Sequence, residues 1–356
     1  MSNSNPELLR LLHQHGVGVF VNSYLHLQIA LGAGIPASDI IYTATGVPRA
    51  TMRELVANGI RTNVDSVQQL ELYGQMSPGG KVGLRLNIME KPRARSPRGQ
   101  GASDERFHKS ESRIGICEYE LDDVFEIAAR YRLVINGVHV YLGTDIIEPE
   151  YLIAGVRATL GMSARLRELE YIDLGGGFPA AGMKVGAFDY ATYGREVTRI
   201  LDDFARATGR RLELVLEPGR SLFGDSAVFC TRVTDLKRRQ KRLIVGCDAS
   251  VSLFPRPFFY GEYHDVHVNG KAGPDTTGLS VDIVGNTTYS GDYLARGVAL
   301  PEVELDDILV FQHAGGYCYS MITRFLGQLA PPEILIGDDG EARLIRARES
   351  AERLVS

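Results

Sequence analysis

Short apolar runs and amphipathic stretches alternate along the first two thirds of the chain. The runs GVFVNS, DIIYTAT, RTNVDS, KVGLRLNI, VINGVHVYLGT, YIDLGGG and LELVLEP predict seven buried strands. Stretches with apolar residues every three or four positions, such as SYLHLQIALGAG and YATYGREVTRILDDFARATG, lie between the strands and predict helices. This alternation is typical of parallel strands joined by crossover helices.

The pattern begins with a helix rather than a strand. Asn5 suits an N-cap, Pro6 suits the first helical position, and Leu8, Leu11 and Leu12 form an apolar stripe. One strand before this helix would make eight, so we expect an α/β fold of the (β/α)8 TIM-type barrel with its first strand apparently missing. A doubly wound open sheet is the alternative, and both folds place ligands at the carboxyl ends of the strands.

The pattern changes near residue 226. Segments such as RLIVGCDAS, LSVDIVGNTT and DILVFQHAGGY are short strands separated by turn residues, and GDDGE predicts a hairpin turn. We therefore expect two domains, a barrel over residues 1–225 and a C-terminal β-domain over residues 226–356.

Composition excludes several classes of function. With 44% hydrophobic and 23% charged residues the chain is ordinary for a globular protein, and its net charge of -5 gives no case for a nucleic-acid partner. We expect no membrane association, because no apolar run approaches the length of a membrane span and the N-terminus lacks a signal-peptide pattern. The four cysteines are widely spaced without a CxxC pair, so we expect no metal site and a cytoplasmic location.

Two glycine-containing motifs end predicted strands. In YIDLGGGFP, Gly175–Gly177 could bring backbone N–H groups close to a phosphate, or could simply form a tight turn. In LELVLEPGRS, Glu217 could pair with a protonated ring nitrogen while Gly219 and Arg220 face an anion. A structural ion pair is the alternative for this second motif.

Two motifs of the β-domain are compatible with the same chemistry. Arg256 lies between prolines in FPRPFFYGEYH, which would suit gripping a substrate carboxylate from a rigid turn. Tyr317 follows Gly315 and Gly316 in HAGGYCYSM. Taken singly, each motif is compatible with ordinary packing.

Taken together and in their order along the chain, the motifs form a pattern specific enough to indicate a family. They are GGGF, EPGRS, RPFFYGEYH, SGDYLARG and GGYCYSM. From about Asn3 to the C-terminus the chain resembles the fold-type III pyridoxal-phosphate decarboxylases, typified by diaminopimelate and ornithine decarboxylases. The resemblance implies a barrel followed by a β-domain, pyridoxal 5'-phosphate as cofactor, and a head-to-tail homodimer with active sites at the subunit interface.

The same resemblance implies a set of cofactor-binding residues. Glu217 matches the carboxylate that faces the pyridine nitrogen, Tyr141 takes the place of a ring-stacking histidine, and Arg113 in SRIGI lies near the ring. The residues matched to the phosphate are Thr144, Gly175, Gly176, Gly177, Gly219, Arg220 and Tyr317.

Departures from the family pattern bear on the substrate. Thr288 and Tyr289 stand where a cysteine proton donor and an acidic residue are usual, and with Asp292, a possible partner of a distal amine, they are the candidate catalytic residues. Because Tyr289 cannot supply a negative charge, a bulkier or more anionic substrate is favoured over a free diamino acid. The candidate substrate-binding residues are Arg256, Tyr260 and His139.

The family's Schiff-base lysine has no counterpart. Met1 falls where that lysine should be, and the chain's seven lysines lie at other positions. Either the chain begins late or it is a relative without the lysine, and we expect the late start because the other motifs look intact.

The predicted function is that of a PLP-dependent carboxy-lyase acting on an amino acid or amino-acid conjugate. The departures, together with a basic loop containing Lys91, Arg93, Arg95 and Arg98, resemble the branch that acts in carboxylate-siderophore biosynthesis. The alternatives are a PLP-binding or interaction protein without catalysis, a racemase-like barrel, and a diaminopimelate decarboxylase-like enzyme of amino-acid metabolism. The sequence leaves the substrate and its chirality open.

Overall fold

The computed structural model of the chain describes residues 2–88, 113–180, 186–272 and 278–355. The described chain forms two units. The first comprises Pro6–Pro179 and residues 186–219, and the second comprises Ser2–Asn5, Ala180 and the described residues from Arg220 onward. Met1 and the basic loop with Lys91, Arg93, Arg95 and Arg98 lie outside the described residues.

The first unit contains a parallel sheet of seven strands in chain order, which confirms the predicted α/β barrel-like fold. All seven predicted strands are present. Within the described residues, β1 pairs only with β2 and β7 pairs only with β6, so these two strands end the sheet. The strands are β1 (Val19–Val21), β2 (Ile40–Ala44), β3 (Arg61–Val64), β4 (Lys81–Leu86), β5 (Val134–Val140), β6 (Tyr171–Asp173) and β7 (Glu213–Val215).

Helices alternate with these strands, and several begin at a side-chain cap. The hydroxyl oxygens of Ser23 and Ser66 and the carboxylate of Asp189 each accept a backbone N–H from the first turn of the following helix. Such caps satisfy N–H groups that have no partner within the helix. The helices are α1 (Pro6–Gln14), α2 (Tyr24–Gly32), α3 (Arg49–Ala57), α4 (Val67–Met76), α5 (Leu121–Tyr131), α6 (Pro149–Met162) and α7 (Tyr190–Thr208).

The strand register brings three chemically distinct side chains into one row. Arg85 on β4 is the register partner of His139 on β5, and His139 is the partner of Asp173 on β6. All three stand at or next to the last residue of their strand. Because parallel strands end at the same edge of a sheet, the row lies where a barrel of this type builds its site.

The second unit is built on a six-stranded sheet, in agreement with the predicted β-domain. Its strand order is β10-β13-β8-β9-β11-β12, antiparallel except between β9 and β11, and β14 and β15 form a separate hairpin. Phe254 and Phe311 are fully buried in its apolar core. The strands are β8 (Phe229–Arg238), β9 (Arg242–Cys247), β10 (Val266–Val268), β11 (Ser280–Val284), β12 (Tyr293–Val298), β13 (Ile308–Phe311), β14 (Glu333–Ile336) and β15 (Ala342–Arg346).

Three short helices complete the second unit, namely α8 (Arg220–Phe223), α9 (Arg256–Tyr260) and α10 (Glu352–Val355). Among the described helices of both units, none reaches the length and hydropathy of a transmembrane segment.

Candidate active site

A buried group of three titratable side chains lies at the carboxyl ends of β5, β6 and β7. One ligand atom each of His139, Asp173 and Glu217 lies within 4.8 Å of the others. The His139 Nε2 atom is 3.7 Å from the Glu217 Oε2 atom, and the His139 ring stacks on Phe20 with a centroid distance of 6.3 Å. His139 was predicted to bind substrate. Its position beside Glu217 is consistent with a place in the site, and that role stays a prediction.

Burial shifts the protonation of all three groups toward their neutral forms. It raises the pKa of Glu217 to about 7 and lowers the pKa of His139 to about 4. The pKa of Asp173 is also raised, first by burial and then by the nearby Glu217 charge. Two carboxyl groups therefore lie next to a neutral imidazole, and the group lacks a cation of its own.

The cation closest along the row is already neutralised. The Arg85 Nη1 group donates to the Asp65 Oδ1 atom at 2.9 Å, and the Thr45 hydroxyl donates to the other Asp65 oxygen at 2.7 Å. Asp65 is buried, and it also accepts the Gly115 N–H at 3.2 Å. This pair holds the Arg85 guanidinium on the side of β3. Because its charge is balanced by Asp65, Arg85 is only a partial counterion of Glu217.

Sequence reasoning missed Asp65, Arg85 and Asp173. Each lies in the second half or the middle of a predicted strand segment and at or next to the end of the observed strand, so its position was a usable signal. The pattern of apolar residues could not reveal that these three residues belong to the site, because ionisable residues near strand ends are also common in exposed turns.

The predicted glycine turn is present after β6. A Cβ atom on Gly176 would lie 2.4 Å from the Glu217 carbonyl oxygen, and Gly175 has a φ of +65°, so both positions require glycine. Within the described residues, the N–H groups of Gly176, Gly177 and Gly219 donate no hydrogen bond to the protein. A turn with several uncommitted N–H groups is suited to bind an anion such as a phosphate.

Other predicted residues of the first unit lie on loops at the same ends of the strands. The hydroxyl groups of Tyr141 and Thr144 are 2.9 Å apart just after β5. Arg113 is exposed shortly before Ile116, which forms a bridge with Leu86 at the end of β4. Their roles toward a cofactor stay predictions.

The second unit contains a buried group of two guanidinium ions and one carboxylate. The Nε and Nη2 groups of Arg256 both bind Glu262, and the Arg220 Nη1 group donates to the other Glu262 oxygen at 3.1 Å. Burial lowers the pKa of Arg256. Arg256 is the first residue of α9 rather than part of an irregular turn, because proline is compatible with the first turn of a helix. The sequence analysis missed Glu262, although its carboxylate lies within the FPRPFFYGEYH motif.

Tyr317 lies against these two arginines. Its ring centroid is 5.8 Å from the Arg220 guanidinium and 5.7 Å from that of Arg256, within the range of cation–π attraction. Tyr317 adopts a φ of +58°, and its N–H donates to the Ser2 carbonyl oxygen at 2.7 Å. A left-handed backbone at a non-glycine residue is uncommon, and such residues cluster at functional sites.

The candidate catalytic residues of the second unit share one loop after β11. Thr288 is exposed, and the Tyr289 ring contacts Phe258 and Phe325. The Asp292 oxygens accept the backbone N–H groups of residues 251 and 287, so this carboxylate stabilises the loop. Tyr260 is about half exposed on α9. The roles of these residues toward substrate stay predictions.

Comparison with known proteins identifies the family. A model of the pyridoxal-dependent decarboxylases, describing their pyridoxal-binding domain, matches residues 1–224. The chain belongs to this family. Its cofactor is pyridoxal phosphate, and its members are carboxy-lyases.

The relatives of this decarboxylase match almost its whole length. It is 30% identical over 374 residues to the diaminopimelate decarboxylase of Escherichia coli K12, covering 99% of this chain and 86% of the relative. It is 29% identical over 362 residues to the diaminopimelate decarboxylase of Methanothermobacter thermautotrophicus, covering 99% and 82%. A crystal structure of a diaminopimelate decarboxylase superposes with a TM-score of 0.90 at 29% identity, covering 99% of this chain and 86% of that one.

The residues of this decarboxylase fit the family cofactor. The Glu217 Oε1 atom is buried without a hydrogen-bond partner, and a protonated pyridine nitrogen would supply one. The same protonated ring nitrogen would also supply the positive charge that the carboxyl groups of Asp173 and Glu217 lack. The uncommitted N–H groups of the glycine turn are of the kind that binds a phosphate.

Three of the four lysines in the described residues form ion pairs with carboxylates of their own unit. Lys81 begins β4 at the opposite end of the strand and pairs with Glu170. Lys237 pairs with Asp235, and Lys271 pairs with Glu304 and Asp307 at 2.7 and 2.8 Å, all within the second unit. Lys241 is exposed in the turn between β8 and β9.

Proposed function

We propose that this pyridoxal-dependent decarboxylase acts on an amino acid or amino-acid conjugate that carries a carboxylate besides the one it loses. The observation that carries the decarboxylase role is the buried Glu217 carboxyl, which lacks a partner on one oxygen and has a pKa of about 7. A carboxylate in this state is suited to keep a pyridine nitrogen protonated. When bound, pyridoxal phosphate would supply an electron sink for the electron pair that stays on the α-carbon when carbon dioxide leaves.

The residues of the first unit would bind and orient the cofactor. Glu217 would accept a hydrogen bond from the ring nitrogen. The turn Gly175–Gly177 would bind the phosphate through the N–H groups of Gly176 and Gly177, together with the Gly219 N–H, while the Gly175 N–H stays on Asp173. Tyr141 covers the face of the ring, Thr144 approaches the phosphate and Arg113 lies near the ring. His139, neutral because its pKa is about 4, borders Glu217 without competing for its charge.

The residues of the second unit would bind anions and manage a proton. Arg220 and Tyr317 contribute to the phosphate site, while Arg256 and Tyr260 face the substrate. Glu262 uses the Nε and Nη2 groups of Arg256, which leaves Nη1 for a substrate carboxylate. Thr288 or Tyr289 delivers the proton that replaces the lost carboxylate, with Asp292 fixing their loop.

Two kinds of substrate satisfy this proposal. Diaminopimelate is the substrate in the names of the relatives, and it carries a second carboxylate. A citrate–amino-acid conjugate of the siderophore type carries more carboxylates and no distal amine. The position of Tyr289, where an acidic residue would be needed to hold a distal amine, favours the conjugate.

The test measures carbon dioxide release on meso-diaminopimelate, lysine, ornithine and a citrate–amino-acid conjugate. It uses the chain itself and a variant in which lysine replaces Met1 behind an added start methionine. We expect cofactor-dependent release, fastest with the conjugate. Fastest turnover of lysine or ornithine would overturn the proposal of an anionic substrate. Cofactor binding without carbon dioxide release from any substrate, in either protein, would favour a non-catalytic binding protein.

The substitution Arg256→Ala tests the substrate carboxylate in the same assay. A charge-assisted hydrogen bond contributes about 1.5–3 kcal/mol, so R256A should lower kcat/KM by roughly ten- to a hundredfold. R256K, which keeps the charge, should lower it less. R232A, an exposed arginine of β8 paired with Asp306, is the matched control and should leave kcat/KM unchanged. An R256A variant that turns over its best substrate like the wild type removes Arg256 from this role.

A further inference from the structure

Asp173 has no part in the function proposed above, although it is the most deeply buried carboxyl of the site. It ends β6 with no exposed surface. Its Oδ1 atom accepts the Gly175 N–H at 2.9 Å, and its Oδ2 atom is buried without a hydrogen-bond partner. A buried acceptor without a partner destabilises the fold unless a proton or donor reaches it.

Glu217 likewise has an oxygen atom without a hydrogen-bond partner. Its Oε1 atom is also buried without a partner, and the ligand atoms of Asp173 and Glu217 lie within 4.8 Å of each other. Two carboxyl groups that face each other in an apolar environment cannot both be ionised at low cost. One proton held on Asp173 would give the pair a donor, and a carboxylate oxygen of Glu217, which can accept more than one hydrogen bond, would still be able to take a ring nitrogen.

The backbone joins the same two residues through the glycine turn. The Glu217 N–H donates to the Gly175 carbonyl oxygen at 2.9 Å, while the Gly175 N–H donates to Asp173. Gly175 is thus held on both sides by the two carboxyl residues. A movement of the Asp173 side chain would therefore displace the glycine turn and, through the Gly175 carbonyl oxygen, the backbone of Glu217.

We propose that Asp173 is a positioning residue: its protonated carboxyl donates a hydrogen bond to the Glu217 carboxylate and at the same time fixes the glycine turn through Gly175. The proposal rests on the proposed roles of Glu217 and the glycine turn toward the cofactor. It makes the site for the ring nitrogen and the site for the phosphate one connected element.

The surrounding charges are compatible with this assignment. Within the described residues, the ionisable groups that face the pair are His139 from β5 and Arg85 from β4, and Arg85 is paired with Asp65. His139 is neutral above a pH of about 5, because burial lowers its pKa to about 4. Asp173 has no exposed surface, whereas the Glu217 side chain is 13% exposed, so burial favours the neutral form more strongly at Asp173 and the shared proton lies there. Between pH 5 and 8, the carboxyl pair is the part of this group that titrates.

The test compares D173N and D173A with the wild type in two measurements. The first is the melting temperature of the cofactor-free protein from pH 5 to pH 8. The second is the affinity for pyridoxal phosphate, followed by its absorption. D282A is the matched control, because Asp282 is also a buried strand carboxylate that accepts a glycine N–H, at 2.9 Å from Gly297, and it lies in the second unit.

We expect the asparagine amide to replace the protonated carboxyl, since it can donate to Glu217 and accept from Gly175. D173N should weaken cofactor binding by less than about threefold, and D173A by about tenfold or more. The melting temperature of D173A should fall further below that of the wild type at pH 8 than at pH 5, because an ionised Glu217 then lacks its donor. D282A should lower the melting temperature by the same amount at both pH values.

Two results would overturn the proposal. One is a D173A deficit that is constant or smaller at pH 8, which would mean that Asp173 is ionised or merely structural. The other is a D173N variant as impaired as D173A. If D173A and E217Q both leave cofactor affinity unchanged while the pH-dependent deficit is observed, the proposed role of Glu217 toward the cofactor fails and the shared proton stands.

Discussion

At the scale of single residues, the site depends on carboxyl groups whose behaviour is set by burial. Glu217 follows an exposed part of β7, yet its own side chain is largely enclosed and its pKa is raised to about 7. The EPGRS motif made Glu217 a candidate from sequence. The environment that shifts its pKa includes Asp173 and His139, which come from other strands, and this environment depends on strand register that local sequence does not specify.

The shifted pKa of Glu217 has a consequence for stability. A carboxyl group whose folded-state pKa lies above its unfolded value of 4.5 stabilises the fold fully below pH 4.5, and this contribution is lost as pH rises toward 7. The cofactor-free protein should therefore lose stability over this window, by about 3 kcal/mol for a shift of this size. E217Q should show a flatter pH profile in denaturant titrations.

The control for this measurement is E213Q. Glu213 lies on β7 and its side chain is more than half exposed, in an ion pair with Arg61. Exposed pairs of this kind contribute about 0–1 kcal/mol, so E213Q should keep the wild-type pH profile. A pH profile of E217Q identical to that of the wild type would show that Glu217 is not the titrating group.

At the scale of elements, the strands could be predicted well because each is a short apolar run between turn residues. All seven strands of the first unit were expected from sequence, from GVFVNS at β1 to LELVLEP at β7. The row of Arg85, His139 and Asp173 could not be predicted from sequence, because that requires knowing which residues of β4, β5 and β6 are paired. The pairing of Arg256 with Glu262 was missed for a related reason, because it requires the α9 helix to place the two side chains together.

The glycine turn after β6 gives a prediction at this scale. Gly176 has backbone within 2.4 Å of any added Cβ atom, and the blocking atom is the carbonyl oxygen of Glu217. G176A must therefore move the turn relative to β7, which should destabilise the protein by about 1–3 kcal/mol and weaken cofactor binding. The unfolding free energy and the affinity for pyridoxal phosphate check the two effects.

The matched control for G176A is G194A. Gly194 lies inside α7 with open space around its Cα atom, so alanine should be neutral or stabilise the protein by up to about 1 kcal/mol. If G176A were as stable as G194A and bound the cofactor normally, the close approach of the turn to Glu217 would not matter for the site.

At the scale of the whole molecule, an exposed aromatic surface on the second unit bears on assembly. Phe258 and Phe259 on α9 are exposed and contact each other edge to face, and Tyr289 links Phe258 to the exposed Phe325. Contiguous aromatic surfaces are uncommon on monomers and typical of the central parts of protein interfaces. Together with the dimer that the family resemblance implies, this surface favours a homodimer.

Light scattering should accordingly give a mass about twice that of the 356-residue chain. F259D places a charge in the aromatic surface, and desolvating that charge on association should be costly enough to shift the protein toward the monomer at micromolar concentration. L305D is the control, because Leu305 is equally exposed on the second unit, in the turn before β13. A monomeric wild type would contradict the predicted homodimer, and a dimer that F259D leaves intact would place the interface on another surface.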